Sequence, residues 1–310
     1  MEKQIHFIKM EGAGNDYVYV DCFSQFIKNP QALARQVSRR HFGIGSDGLI
    51  LIKPSPRADC FMDIYNADGS RGRTCGNGLR CTARLLWKKS GGTKNEFSIE
   101  TLSGISCVQV SQVNRRRSWV QAGMGQVFVR NIPAPVNRIL KMLPGGVFTE
   151  WVHVADAGNL HCVVKLKTCH EEWSPVQVLE QLDLKSVGSF LEHYEGFPGS
   201  VNVEFCVDES REGCLCSWED SGWECPDSGP SVPDVSRKIC ARVWERGSGE
   251  TLACGSGACA IYQAFCKAEG PADCCIFMPG GRLYVTGNDH EVLLGGMAAD
   301  VFEGDLPVSL

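Results

Sequence analysis

Two cysteines in this chain lie in nearly the same local sequence: Thr74-Cys75-Gly76-Asn77-Gly78 and, far downstream, Ala253-Cys254-Gly255-Ser256-Gly257. Each stands where a glycine-rich turn meets an amphipathic run, the position of a helix N-terminus. A thiol with a reference pKa near ~8.5 is only a small fraction thiolate at neutral pH. The free N–H groups and partial positive charge of a helix start favour the thiolate. They can also hold a carboxylate and stabilise negative charge as a proton leaves. Gly76 and Asn77, with Gly255 and Ser256, stand where both tasks would be done. A thiolate on one face of a carbon and a thiol on the other can remove a proton and return it with inversion. The chemistry these residues suit is therefore a cofactor-independent epimerisation of an amino acid, with the two thiols titrating as a unit. A lone Cys-Gly merely ends a turn in most sequences; the repeat of the whole context argues for chemistry.

Other polar residues offer what such a site needs. Asn15, Asn66, Asn159 and Asn202 each carry an amide at a strand end or turn, although each could be a simple turn residue. Glu245-Arg246, ahead of Gly247, provides a carboxylate for an ammonium and a planar cation for a second carboxylate. The competing reading of that pair is a surface ion pair.

The elements that must position these residues are mostly short strands between glycine turns, among them 6–10, 17–20, 49–52, 61–65, 97–101, 105–110 and 118–122. A second series covers 150–154, 161–166, 203–207, 238–243, 276–278, 282–286 and 292–295. Helical spacing is confined to 78–89 and 257–267, with shorter candidates at 30–40 and 175–182. The two Cys-bearing helices each follow a strand and a glycine turn, so the chain reads as two similarly folded halves joined by a linker at 127–135. Segment 208–236, with Cys214, Cys216, Cys225, Trp218 and Trp223, reads as a surface hairpin insertion.

The 310 residues suit two domains, and a net charge of −5 argues against a nucleic-acid partner. Arg115-Arg116-Arg117 is too short to be a phosphate track and reads as a solvated hairpin tip. No apolar run approaches a membrane span and Met1 is not followed by an apolar leader core, so no membrane partner and a cytoplasmic location are expected. Seventeen cysteines, an odd number without a secretory leader, read as small buried side chains rather than a disulfide framework.

Taken together, Gly12-Ala13-Gly14-Asn15-Asp16, Gly43-Ile44-Gly45-Ser46-Asp47-Gly48, Asn66-Ala67-Asp68-Gly69-Ser70, Cys75-Gly76-Asn77-Gly78, Gly158-Asn159-Leu160-His161, Val201-Asn202, Glu245-Arg246-Gly247 and the run 252–260 resemble the diaminopimelate epimerase family, in order and along essentially the whole chain. The resemblance implies an α/β (α+β) fold of two pseudo-symmetric domains, each a β-sheet wrapped around a central α-helix, with the active site in the interdomain cleft. The domains would be 1–128, with 298–310 returning to it, and 129–297. It implies interconversion of LL- and meso-2,6-diaminopimelate, in lysine and peptidoglycan precursor synthesis, without pyridoxal phosphate or metal. Cys75 and Cys254 would be the acid and base. Asn15, Asn66, Asn159 and Asn202 would bind substrate, with Arg246 on the distal carboxylate and Glu245 near an amine. Gly76-Asn77 and Gly255-Ser256 would hold the reacting carboxylate. His161 and Glu245 would tune the thiols, and Phe302 would be the aromatic contact of a homodimer. The chain departs from the family at Leu160, commonly proline, at Gly48, where one branch has a glutamine contact, and at Arg73-Thr74 before the first cysteine.

Two rivals remain in view. One keeps the fold and acts on proline, glutamate or histidine, although a monocarboxylate would not need Arg246 with four asparagines. The other is a metal-binding or thiol-redox protein, for which Cys214, Cys216 and Cys225 lack a paired ligand-like spacing.

Overall fold

A computed structural model describes residues 3–208, 235–288 and 290–308, so the insertion carrying Cys214, Cys216 and Cys225 lies outside the described residues. The described residues form two compact units, one from 3–123 with 295–308 and one from 124–294.

In the first unit, β1 (Lys3–Gly12) and β2 (Asn15–Asp21) form an antiparallel hairpin. Helix α1 (Pro30–Ser38), started by the Asn29 cap and a proline, carries the chain over so that β3 (Gly48–Lys53) runs parallel to β2. Strand β4 (Cys60–Asn66) returns antiparallel, and the two-residue β5 (Arg71–Gly72) folds back on it. After α2 (Gly76–Lys89) come β6 (Glu96–Thr101), parallel to β4, then β7 (Gly104–Gln112) and β8 (Arg117–Gly123), each antiparallel to the strand before. Arg115 and Arg116 occupy the β7–β8 hairpin tip. The last strand, β17 (Val292–Val308), pairs with both β1 and β8. The ring β1-β2-β3-β4-β6-β7-β8-β17 therefore closes and leaves no edge unpaired.

Helix α2 packs against β1, β6, β7 and β8. A helix ringed by strands is buried on every side, so its polar positions need partners as much as its apolar ones pack. Leu79, Ala83 and Leu86 are buried, and so are Arg80 and Arg84. Arg80 donates to Asn77 Oδ1 (2.7 Å) and to the Gly76 and Met297 carbonyls. Arg84 donates to Asp300 through Nε (2.8 Å) and Nη2 (3.0 Å), to Ser118 Oγ and to the Arg115 carbonyl. The Arg84–Asp300 pair thus pins β17 to the central helix.

The second unit repeats this order. After β9 (Phe128–Arg130) and α3 (Val136–Met142), β10 (Val147–Asp156) and β11 (Leu160–Thr168) form a hairpin. Helices α4 (Pro175–Glu180) and α5 (Leu184–Glu192) lead to β12 (Asn202–Asp208), parallel to β11. Strand β13 (Arg237–Glu245) returns antiparallel and β14 (Gly249–Thr251) folds back on it. Then α6 (Gly255–Glu269) precedes β15 (Cys274–Met278), parallel to β13, and β16 (Gly281–Gly287), antiparallel to β15. Helix α6 packs against β9, β10, β11, β12 and β16, with Ala258, Cys259, Ile261, Tyr262 and Phe265 buried.

Two expectations change. The stretch 127–135 is not a bare linker: Phe128–Arg130 pairs with β10, because the proline and asparagine residues flank these positions rather than interrupt them. Helices α3 and α5 are both additions to the expected set, the second started by Asp183, whose carboxylate accepts from the Ser186 N–H (3.1 Å).

Replacing Asp300 with alanine leaves the Arg84 guanidinium, 0% exposed, without its carboxylate. Urea denaturation should show about 3–5 kcal/mol of lost stability, whereas Lys88→Ala, which removes only a half-exposed partner of the same carboxylate, should cost about 1 kcal/mol or less.

Candidate active site

Both candidate thiols are helix N-caps. Cys75 precedes α2 with φ −150° and ψ 113°, and Gly78 N–H donates to its sulfur (3.3 Å). Cys254 precedes α6 with φ −124° and ψ 117°, and Gly257 N–H donates to its sulfur (3.4 Å). Sulfur here takes the place of the usual hydroxyl or carboxylate cap. The first-turn N–H groups of Gly76 and Asn77, and of Gly255 and Ser256, have no acceptor within their own helix, the arrangement that can receive an anion.

Space at these starts is limited. A Cβ at Gly78 would lie 2.9 Å from Ile50 Cδ1, and one at Gly257 would lie 2.6 Å from Glu204 Oε1. A side chain at either place would have to displace the strand residue packed against it.

Around Cys75, the thiol donates to Asn15 Oδ1 (3.5 Å), and the Asn15 amide donates to Asp47 Oδ2 (2.8 Å). Burial, with Asp16 adding, raises the Asp47 carboxyl above the ordinary range. Asn66 is exposed and its amide donates to Ser70 Oγ (2.9 Å). The Asn77 side chain is buried and its Oδ1 accepts from Arg80. Gly48 has no room for the glutamine of the family's other branch, since a Cβ there would collide with the Tyr65 carbonyl.

Around Cys254 the residues are charged. His161 is fully buried, with Nδ1 2.6 Å from Glu204 Oε1 and Nε2 3.1 Å from Asn159 Oδ1. The Asn202 amide faces the same Nε2 (3.4 Å), and its Oδ1 accepts from the Arg246 backbone N–H (2.8 Å). Leu160 opens β11 opposite Asp156 and His161 is held firmly behind it, so a proline at 160 is not needed for that placement. Thr251 Oγ1 donates to Glu245 Oε1 (2.6 Å). Burial raises the Glu245 carboxyl, against the Thr251 hydrogen bond and the charge of His161, which lower it. Cys254 is 6% exposed and its thiol is pushed well above the ordinary range, first by burial and then by the Glu245 and Glu204 charges. The Ser256 and Gly257 hydrogen bonds oppose this shift and are outweighed. The sequence expectation that a helix start would favour the thiolate therefore does not hold for Cys254 in this state. Loss of solvent around the sulfur is the largest cause, and the neighbouring Glu245 and Glu204 carboxylates add to it.

The structure brings Asn15 to Cys75, and groups Asn159, His161, Asn202, Glu245 and the Arg246 backbone near Cys254. The Arg246 residue as a whole is exposed. Phe302, on β17, is 47% exposed and meets Phe7 edge to face at 6.0 Å. Three participants escaped the sequence reading: Asp47, Thr251 and Glu204. The last had a visible signal, a single carboxylate inside the otherwise apolar strand Val203-Glu204-Phe205-Cys206-Val207. No group of metal-ligating side chains occurs among the described residues, and no helix there is long and apolar enough to cross a membrane.

A thiol whose value is raised on folding contributes stability that is complete below the unfolded value of about 8.5 and is lost as pH rises through the folded value. Between pH 7 and 10, Cys254→Ala should therefore lose less stability than the parent, by up to about 2 kcal/mol at roughly 1.4 kcal/mol per pH unit. Urea midpoints at the two pH values measure this.

The comparisons agree with one another. The diaminopimelate epimerase family pattern matches residues 7–129 and 154–298. The chain is 37% identical to the diaminopimelate epimerase of Parabacteroides distasonis, over 99% of this chain and 100% of that one. It is 34% identical to that of Acetivibrio thermocellus, over 98% and 99%. Among solved structures, a PhzF-family phenazine biosynthesis protein of Bacillus anthracis superposes with a TM-score of 0.67 at 14% identity, over 99% of this chain and 100% of that chain. That likeness bears on the fold alone.

Proposed function

The chain belongs to the diaminopimelate epimerase family, and from that premise we propose that it interconverts LL- and meso-2,6-diaminopimelate with Cys75 and Cys254 as its two bases. The observation that carries this is the duplicated helix start, each with a sulfur cap, a glycine three residues on, and first-turn N–H groups aimed past the thiol. The enzyme is an isomerase, an amino-acid epimerase.

The reaction follows from those groups. First-turn N–H groups at Gly76-Asn77 and Gly255-Ser256 receive the carboxylate next to the reacting carbon and stabilise the charge that develops as the α-proton leaves. One cysteine, as thiolate, takes that proton into an S–H bond while the C–H electron pair stays on carbon. The other, as thiol, delivers its proton to the opposite face and is left as thiolate. Burial and the neighbouring carboxylates favour the protonated form of the Cys254 thiol, and the stereoisomer that binds decides which cysteine donates. Turnover in the reverse direction exchanges the roles. Asn15, Asn66, Asn159 and Asn202 orient the amino acid, Arg246 takes the distal carboxylate, and Glu245 faces an amine. His161 and Glu245 set the thiol chemistry. The proposal requires no cofactor, and the enzyme acts in the cytoplasm as a homodimer with Phe302 in the contact.

Incubation with LL-diaminopimelate in D2O should place deuterium at the α-carbon without added cofactor. Cys75→Ala and Cys254→Ala should each lower kcat by about 10³-fold or more while circular dichroism stays native. Exchange on proline, glutamate or histidine with none on diaminopimelate would transfer the assignment to a racemase of the same fold. Near-normal epimerisation by either alanine variant would remove the two-base mechanism.

A further inference from the structure

We infer that Glu204 is a positioning residue for the Cys254 half of the site: its buried carboxylate fixes the His161 ring, and that ring orders the Asn159 and Asn202 amides. The inference rests on the epimerase reading and adds a residue to it. Glu204 is 0% exposed on β12. Its Oε1 lies 2.6 Å from His161 Nδ1, while Oε2 has no hydrogen-bond partner among the described residues. A buried carboxylate oxygen left without a partner is costly, so folding alone does not favour this side chain.

The first unit shows what the fold needs at this place. On β2 and β3, Tyr17 pairs with Gly48 and Tyr19 with Ile50. On β11 and β12, His161 pairs with Asn202 and Val163 with Glu204. Glu204 is thus the counterpart of Ile50, and His161 of Tyr17. The match extends to the helices, because Gly78 packs on Ile50 where Gly257 packs on Glu204. Hydrocarbon supports one helix start, so the carboxylate under the other is there for something besides support.

What it does follows from its bonds. The Glu204 Oε1 contact with Nδ1 fixes the His161 ring, which places Nε2 beside Asn159 Oδ1 (3.1 Å) and the Asn202 amide (3.4 Å), to donate to the first when protonated or accept from the second when not, and Asn202 Oδ1 accepts from the Arg246 backbone N–H. Every residue after Glu204 in that chain belongs to the proposed substrate or thiol-tuning set. The titratable groups facing Glu204 are His161 on β11, Glu245 on β13 and Cys254 before α6, with Cys162 and Cys206 on the packed strands. Its charge also opposes ionisation of Cys254.

The test compares Glu204→Gln and Glu204→Ile in the full chain by two readouts. Steady-state epimerisation of LL-diaminopimelate should show kcat lowered about 10- to 100-fold in Glu204→Ile, which has no acceptor for His161, with KM changed by less than about threefold. Glu204→Gln keeps an acceptor oxygen and should recover most of that loss. Competitive iodoacetamide labelling, read by mass spectrometry of the two cysteine peptides from pH 6 to 9, should show Cys254 reacting at lower pH in both variants, with Cys75 unchanged. Parent-like kcat in Glu204→Ile overturns the inference, as does unmoved Cys254 labelling in folded Glu204→Gln. So does an equal shift at both cysteines, which would mean general loosening. If Glu204→Ile does not fold, the Glu204→Gln labelling decides. Failure of the parent protein to exchange the α-proton would instead refute the substrate reading, and the labelling would still report on Glu204.

Discussion

The first turn of a helix has a fixed number of unbonded N–H groups pointing in one direction, and both candidate thiols are seated on such a turn. Much else in each unit follows from that constraint. The capping residue must sit in extended backbone geometry, which fixes where its sulfur points. The glycine three positions on lets a strand side chain pack directly against the helix start. The strands must end near the helix start so that Asn15, or Asn159 and Asn202, can reach the thiol or its neighbours. A helix surrounded by strands must also find partners for the charged groups it carries. Hence Arg80 and Arg84, which would be an ordinary solvated stripe on a surface helix, are each surrounded by acceptors.

The two thiols share a backbone frame but differ in electrostatic setting. Cys75 has a neutral amide beside it, oriented by Asp47. Cys254 has the buried Glu204, the half-buried Glu245 and an imidazole in its vicinity. Identical thiols in identical settings would have no built-in preference for which holds the proton. The Glu245 and Glu204 charges beside Cys254 break that degeneracy while the shared cap geometry is kept.

Much of this was legible in the residues. Alternating apolar positions between glycine turns located the longer strands, and the cysteine-glycine repeats located both helix starts. Strands β5 and β14 were not legible, since two or three residues cannot display a period and form only by folding back on a longer neighbour. Strand β9 was obscured by the prolines and asparagines around it. The burial of Arg80 and Arg84 could not be read either, because helical spacing gives the face a residue occupies and not whether strands surround the helix. Glu204 was visible as an oddity in an apolar strand, yet only the β11–β12 register reveals that it meets His161. Asp47 and Thr251 looked like ordinary turn and strand residues until their hydrogen bonds were seen.

Closure of the first barrel by β17 has a consequence for biosynthesis. Residues 3–123 emerge early from the ribosome but lack the strand that joins β1 to β8, so two strand edges stay open while the rest of the chain is made. Residues 124–294 can collapse first, although they are translated later. The amino-terminal unit thus matures last, when the Asp300 carboxylate arrives to meet Arg84.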